Sequence, residues 1–173
     1  RKELTAVIDT CLTHDLLICS DEIHCELLLD ETAHLPLATI NPAIQDNLVT
    51  LMAPGKTFNT AGIGGSIAII SNPVLRERFV NASNGISGNV NLFAYEVMLA
   101  AYRDCNDWLE ELICYLRGNR DYLSERMAGI PGISVNHVEA TYLAWLDVRA
   151  LQLDDAASFF EAAGVGLSDG AQF

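Results

Sequence analysis

The chain has 173 residues, half of them hydrophobic, which is ample for a domain-sized core. Ten basic residues against 23 acidic ones leave a net charge of −13, which argues against the basic footprint that nucleic acid or an anionic membrane requires. No stretch of about 18 apolar residues occurs, so no membrane-spanning helix is expected.

Along the chain, Arg1-Lys2-Glu3-Leu4 opens an amphipathic segment, not the apolar core of a signal peptide. Apolar residues at 4, 7, 8, 11 and 12 predict a helix over 3–14. Residues 16–20 read as a buried strand, 21–35 as a loop with helical turns, and 48–52 as a second buried strand. Gly64-Gly65 leads into a third strand over 66–70. Asn72 as N-cap and Pro73 at the first helical position start a helix running to about 81. After a polar break at 83–89, two helices are expected at about 90–103 and 105–128. Gly129-Ile130-Pro131-Gly132 is strong punctuation. Strands follow at 133–136 and 141–148, with Tyr142 and Trp145 expected in the core, and a helix at about 154–163. Five cysteines with no Cys-x-x-Cys pair read as buried free thiols of a reducing, cytoplasmic compartment.

Two of these strands end in chemistry. Leu16-Leu17-Ile18-Cys19 delivers Ser20-Asp21-Glu22-Ile23-His24, and Leu48-Val49-Thr50-Leu51-Met52 feeds Ala53-Pro54-Gly55-Lys56-Thr57-Phe58-Asn59. Strand-to-loop exits are where α/β sheets place ligands. A lysine in such a turn can be desolvated, which frees its lone pair for a Schiff base. A carboxylate held nearby can keep a heterocyclic nitrogen protonated. On spacing alone Lys56 is more often an ordinary loop lysine, and acids after strands such as Asp21 are often just helix caps. Thr57 and Asn59 are expected to hydrogen-bond within the lysine loop. His24, Cys25 and His34 fit no standard metal-ligand spacing, so no metal is expected.

The strings Ser20-Asp21-Glu22-Ile23-His24-Cys25-Glu26-Leu27 and Lys56-Thr57-Phe58-Asn59, with Ala61-Gly62, closely resemble PLP-dependent C–S lyases of the cystathionine β-lyase type, within the class I/II aminotransferase superfamily. The likeness continues through Trp108-Leu109, Tyr115-Leu116, Asn119-Arg120, the run from Glu139 to Asp147, and the run from Gly164 to Gly170. It implies an α/β fold of the PLP-dependent transferase (aspartate aminotransferase) type: a large-domain sheet segment over 1–125 and part of the small α+β domain over 126–173. It implies pyridoxal 5'-phosphate as cofactor, Lys56 as the Schiff-base lysine that also moves the substrate Cα proton, Asp21 as partner of the pyridine nitrogen, and His24 beside the ring oxygen.

The implied reaction is β-elimination from a cysteine S-conjugate such as cystathionine, giving thiol, pyruvate and ammonia, in a homodimer acting on a small amino-acid substrate. Two other readings stand beside it: an aminotransferase on the same scaffold, and a non-catalytic fragment or interaction module. Family members are about twice as long, so the chain is expected to be their middle and later part. A mean hydropathy of +0.22 with 19% charged residues fits faces made to pack on further segments or a second subunit. The phosphate-binding serines expected before the lysine are Ala53 and Gly55 here, and the arginine eight positions after it is Gly64. Gly64, Gly65 and Ser66 are the candidates to compensate.

Overall fold

The computed structural model describes residues 1–173, which form two compact units, Arg1–Ile113 and Cys114–Phe173. They part inside the longest helix, twelve positions before the boundary that the resemblance implies after residue 125. No helix is long and apolar enough to cross a membrane.

In the first unit, helix α1 (Lys2–Thr13) ends where Asp15 takes a positive φ of 50° and the Leu16 N–H folds back onto the Cys11 carbonyl at 2.9 Å. That bond draws Leu16 into the helix exit, so strand β1 begins later than its apolar run, at Ile18, and ends at Asp21. Strand β2 (Leu48–Met52) pairs with β1 in parallel, Ile18 opposite Leu48 and Asp21 opposite Leu51. The connection between them is made of turns and short 3-10 segments at Leu37–Thr39 and Pro42–Asn47. Strand β3 (Ile67–Ile69) pairs antiparallel to β2, so β2 is the middle strand.

A middle strand must be apolar on both faces. Leu48 joins Ile8 of α1, Leu37 and Ile44 in one buried cluster, while Val49 joins Ile70 and Leu75 in another. Leu75 belongs to helix α2 (Pro73–Ser83), capped as expected by Asn72, whose side chain accepts from the Val74 and Leu75 N–H groups. Helices α3 (Leu92–Asp104) and α4 (Asn106–Ala128) follow, α3 capped by Asn91. Leu92, Phe93, Tyr95 and Leu99 of α3 are all at least half exposed.

The second unit contains a two-stranded antiparallel sheet, β4 (Ser134–Val135) with β5 (Leu146–Asp147), and helix α5 (Ala156–Ala162), capped by Asp155. The long strand expected over 141–148 is not formed. Thr141 holds a positive φ of 68°, and its hydroxyl accepts from the Leu143 N–H, a local turn that competes with extended pairing. Only Leu146 and Asp147 remain in a ladder. Tyr142 and Trp145, expected on a strand and in the core, lie off it and are 47% and 56% exposed. The expectation of buried thiols also fails: Cys19 and Cys114 are exposed and the other three are half-buried, all unbridged.

Candidate active site

Parallel pairing of β1 and β2 sends both strand exits to the same end of the sheet. The ladder extends one residue past β1, with the Glu22 N–H donating to the Leu51 carbonyl at 2.9 Å. Asp21 therefore sits at the carboxyl edge, exposed, with one oxygen accepting from the Ile23 N–H at 3.3 Å. Beyond it the chain makes two consecutive turns, Cys25 N–H to the Glu22 carbonyl and Leu27 N–H to the His24 carbonyl, which leave His24 half-buried.

The lysine loop is tightly wound. Phe58 N–H donates to the Pro54 carbonyl at 2.8 Å, and Thr60 N–H to the Gly55 carbonyl at 3.2 Å. Pro54 and Thr57 are buried while Lys56 between them is exposed. The desolvation expected for Lys56 is thus not supplied within residues 1–173, where its side chain is exposed. Lys56 lines a pocket of about 200 Å³ with Ile23, Ala53, Gly55, Thr60, Ala61, Gly64, Gly65 and Ser66. Ile23 lies between Asp21 and His24, so the two strand exits share this pocket, although Asp21 and His24 themselves do not line it.

Small residues keep the pocket open. Gly65 has φ 122°, and a Cβ there would come within 2.7 Å of Met98 Sδ on α3. Glycine is favoured there by the backbone conformation, while the Met98 side chain could shift to admit a Cβ. Of the three candidate phosphate donors, Gly64 N–H is already committed to the Ala61 carbonyl at 3.3 Å.

Two acids that the sequence reading passed over hold this end of the sheet together. Glu22 is buried and accepts from Ser20 Oγ at 2.9 Å and the Leu37 N–H at 3.1 Å, with His34 Nε2 2.7 Å away. Burial pushes its pKa up, but the bonds from His34, Leu37 and Ser20 outweigh burial and leave it below the ordinary value. The stabilisation is therefore complete above the ordinary pKa of about 4.5 and is lost as pH falls below it through the folded value. We expect Glu22→Ala to cost on the order of 2–3 kcal/mol at pH 7, since it strands three partners. Glu22→Gln should flatten the acid limb of a urea-midpoint titration; an unchanged limb would rule this out.

Glu26 is the second acid. Its Oε2 accepts from Thr57 Oγ1 at 2.8 Å, so Thr57 reaches out of the lysine loop instead of bonding within it. Burial, Glu26 and Glu22 together raise the Cys25 thiol to about 12, which leaves it an inert group at neutral pH. Burial, with Glu26 and Cys25, likewise raises the Tyr102 hydroxyl to about 12. Phe58 packs edge-on to Tyr102 (5.8 Å between centroids) and stacks on Trp108 (6.1 Å). No group of three or more His, Cys, Asp or Glu side chains is arranged to hold a metal ion.

The sequence matches the family described as aminotransferase class I and II over residues 1–173. The chain belongs to this family. Its fold is accordingly the α/β fold of the PLP-dependent transferase type. Cystathionine β-lyase PatB of Bacillus subtilis is 38% identical over 160 residues, which cover 90% of this chain and 41% of PatB. Among solved structures, OvoB superposes with a TM-score of 0.96 at 43% identity, covering 99% of this chain and 45% of OvoB. Cystalysin from Treponema denticola, whose structure contains pyridoxal 5'-phosphate, superposes with a TM-score of 0.92 at 33% identity, covering 98% of this chain and 44% of cystalysin. The chain thus spans less than half the length of these relatives.

Proposed function

We propose that this chain carries the lysine-bearing part of a PLP-dependent C–S lyase that removes a thiol from cysteine S-conjugates such as cystathionine, leaving pyruvate and ammonia. The observation that carries the reading is the shared pocket: Lys56 and Ile23, the latter two residues after Asp21 and next to His24, line one cavity at the carboxyl end of parallel strands. The likeness to PatB, a cystathionine β-lyase by name, supports the choice of reaction.

The residues present fit pyridoxal 5'-phosphate. A primary amine borders a cradle of Ala53, Gly55, Gly64 and Gly65 that larger side chains would fill, and a carboxylate ends the neighbouring strand. Lys56 would hold the cofactor through Nζ and, once released by the substrate amine, take the proton from the substrate Cα. Asp21 would keep the pyridine nitrogen protonated, and His24 would stand beside the ring oxygen. When bound, the cofactor supplies an electron sink for the carbanion left at Cα. The Ser66 hydroxyl and the Gly65 N–H are the local groups suited to the phosphate.

We place the assembly as a homodimer in the cytoplasm, acting on a small amino acid, with residues 1–125 in the large domain and 126–173 in the small one. The full chain, supplied with cystathionine and no keto acid, should release pyruvate and thiol in equal amounts. Turnover only with a keto-acid acceptor would make it an aminotransferase, a reading kept open by 28% identity to a probable N-succinyldiaminopimelate aminotransferase of Mycobacterium tuberculosis. No turnover and no cofactor uptake would make it a non-catalytic module.

A further inference from the structure

Lys56 is exposed, so its own side-chain contacts do not hold it; its placement comes from its neighbours. The next residue, Thr57, has no exposed surface, and its hydroxyl is bonded to Glu26 Oε2 at 2.8 Å. Glu26 stands in the turn that follows β1, two residues after His24 and five after Asp21. One hydrogen bond therefore ties the β1 exit to the β2 exit, 31 positions apart in sequence. The following residue, Phe58, is held between Tyr102 and Trp108. On the Glu26 side, burial and the Glu26 charge raise Cys25 and Tyr102 to about 12, and the Cys25 thiol also hydrogen-bonds Glu26, so both stay neutral near pH 7 beside the Thr57 bond.

We propose that Thr57 and Glu26 form the positioning pair of this site: the bond from Thr57 Oγ1 to Glu26 Oε2 sets the direction in which Lys56 presents its amine toward the groups carried by the β1 exit. Neither residue touches the pocket, so their effect reaches the cofactor through Lys56. A part-buried hydrogen bond from a fully buried hydroxyl to a carboxylate is strong enough to hold such a register. The inference rests on the functional reading above.

The test uses the full chain loaded with pyridoxal 5'-phosphate. The readouts are the cofactor's dissociation constant, the pH midpoint of its visible absorbance, and kcat separately from KM. Thr57→Val removes the hydroxyl while conserving volume, and Glu26→Ala removes the acceptor. Each is expected to weaken cofactor binding by about tenfold or more, to displace the absorbance midpoint, and to lower kcat more than it raises KM. The double variant should be no worse than the poorer single one, because both remove the same bond. Thr57→Ser should restore the absorbance midpoint, and it keeps the test valid if Thr57→Val does not fold.

Fully additive losses, or a Thr57→Val midpoint equal to the parent's, would overturn the pairing while leaving the lyase reading intact. Failure of the parent protein to bind the cofactor at Lys56 would overturn both.

Discussion

Lys56→Ala in the full chain is expected to abolish the borohydride-trapped pyridoxal phosphate adduct and to lower β-elimination by about 10²–10⁴-fold or more, the range for loss of a positioned general base. The argument starts from scarcity. Lys2 is the only other lysine among the 173 residues, and it opens α1. No second primary side-chain amine in this chain lies in the loop at the carboxyl end of β1 and β2. The adduct should therefore map by peptide mass to the segment containing Lys56 and nowhere else in this chain. Since Lys56 is exposed and its backbone is held by Thr57 and Phe58, the alanine variant should melt close to the parent. A trapped adduct on Lys2, or β-elimination surviving in the variant, would remove Lys56 from its proposed role.

Asp21→Asn is expected to have the second largest effect, a loss of turnover on the order of 10²–10³-fold, comparable to removing one preorganised electrostatic contact. The substitution is nearly isosteric. An asparagine oxygen can still accept from the Ile23 N–H, so the turn at 3.3 Å is preserved and only the charge is removed. Its proposed task is to keep a ring nitrogen protonated, which an uncharged amide cannot do. The loss should appear mainly in kcat, with the cofactor's absorbance also displaced. Were turnover to stay within about threefold of the parent, Asp21 would be only a strand-terminating cap residue.

The legible parts of the fold were those written in periodicity and caps. Asn72-Pro73 announced α2, and apolar spacing announced α1 and the long α4, because these signals act within one or two turns of chain. The β2 run was legible for a related reason: a strand covered on both faces is largely apolar, with Thr50 its one polar residue. The 141–148 run misled in the same terms. Its composition favours a strand, but the Thr141 conformation and its hydroxyl bond turn the chain before pairing can begin.

The candidate site was legible in part. Lys56 and Asp21 were singled out because each follows a strand exit, and they and His24 because of the strings they sit in. Glu22 and Glu26 carried no such mark. In a stretch with three acids in six residues, nothing local shows that Glu22 and Glu26 are satisfied at long range. Glu22 finds His34 and Leu37 twelve and fifteen positions away, and Glu26 finds Thr57 thirty-one away.

The amino-acid string alone was enough to name the family and most element boundaries, since each depends on residue types at short spacing. Which strand pairs with which, and in what direction, came only with the folded chain. Parallel pairing of β1 with β2 is what brings Asp21 and Lys56 to one end of the sheet; an antiparallel pair would have sent them to opposite ends. The polar ties that brace that end are likewise tertiary. Hydrogen bonds between residues distant in sequence depend on loop closure and on exclusion of water around the pair, and neither is encoded at any single position.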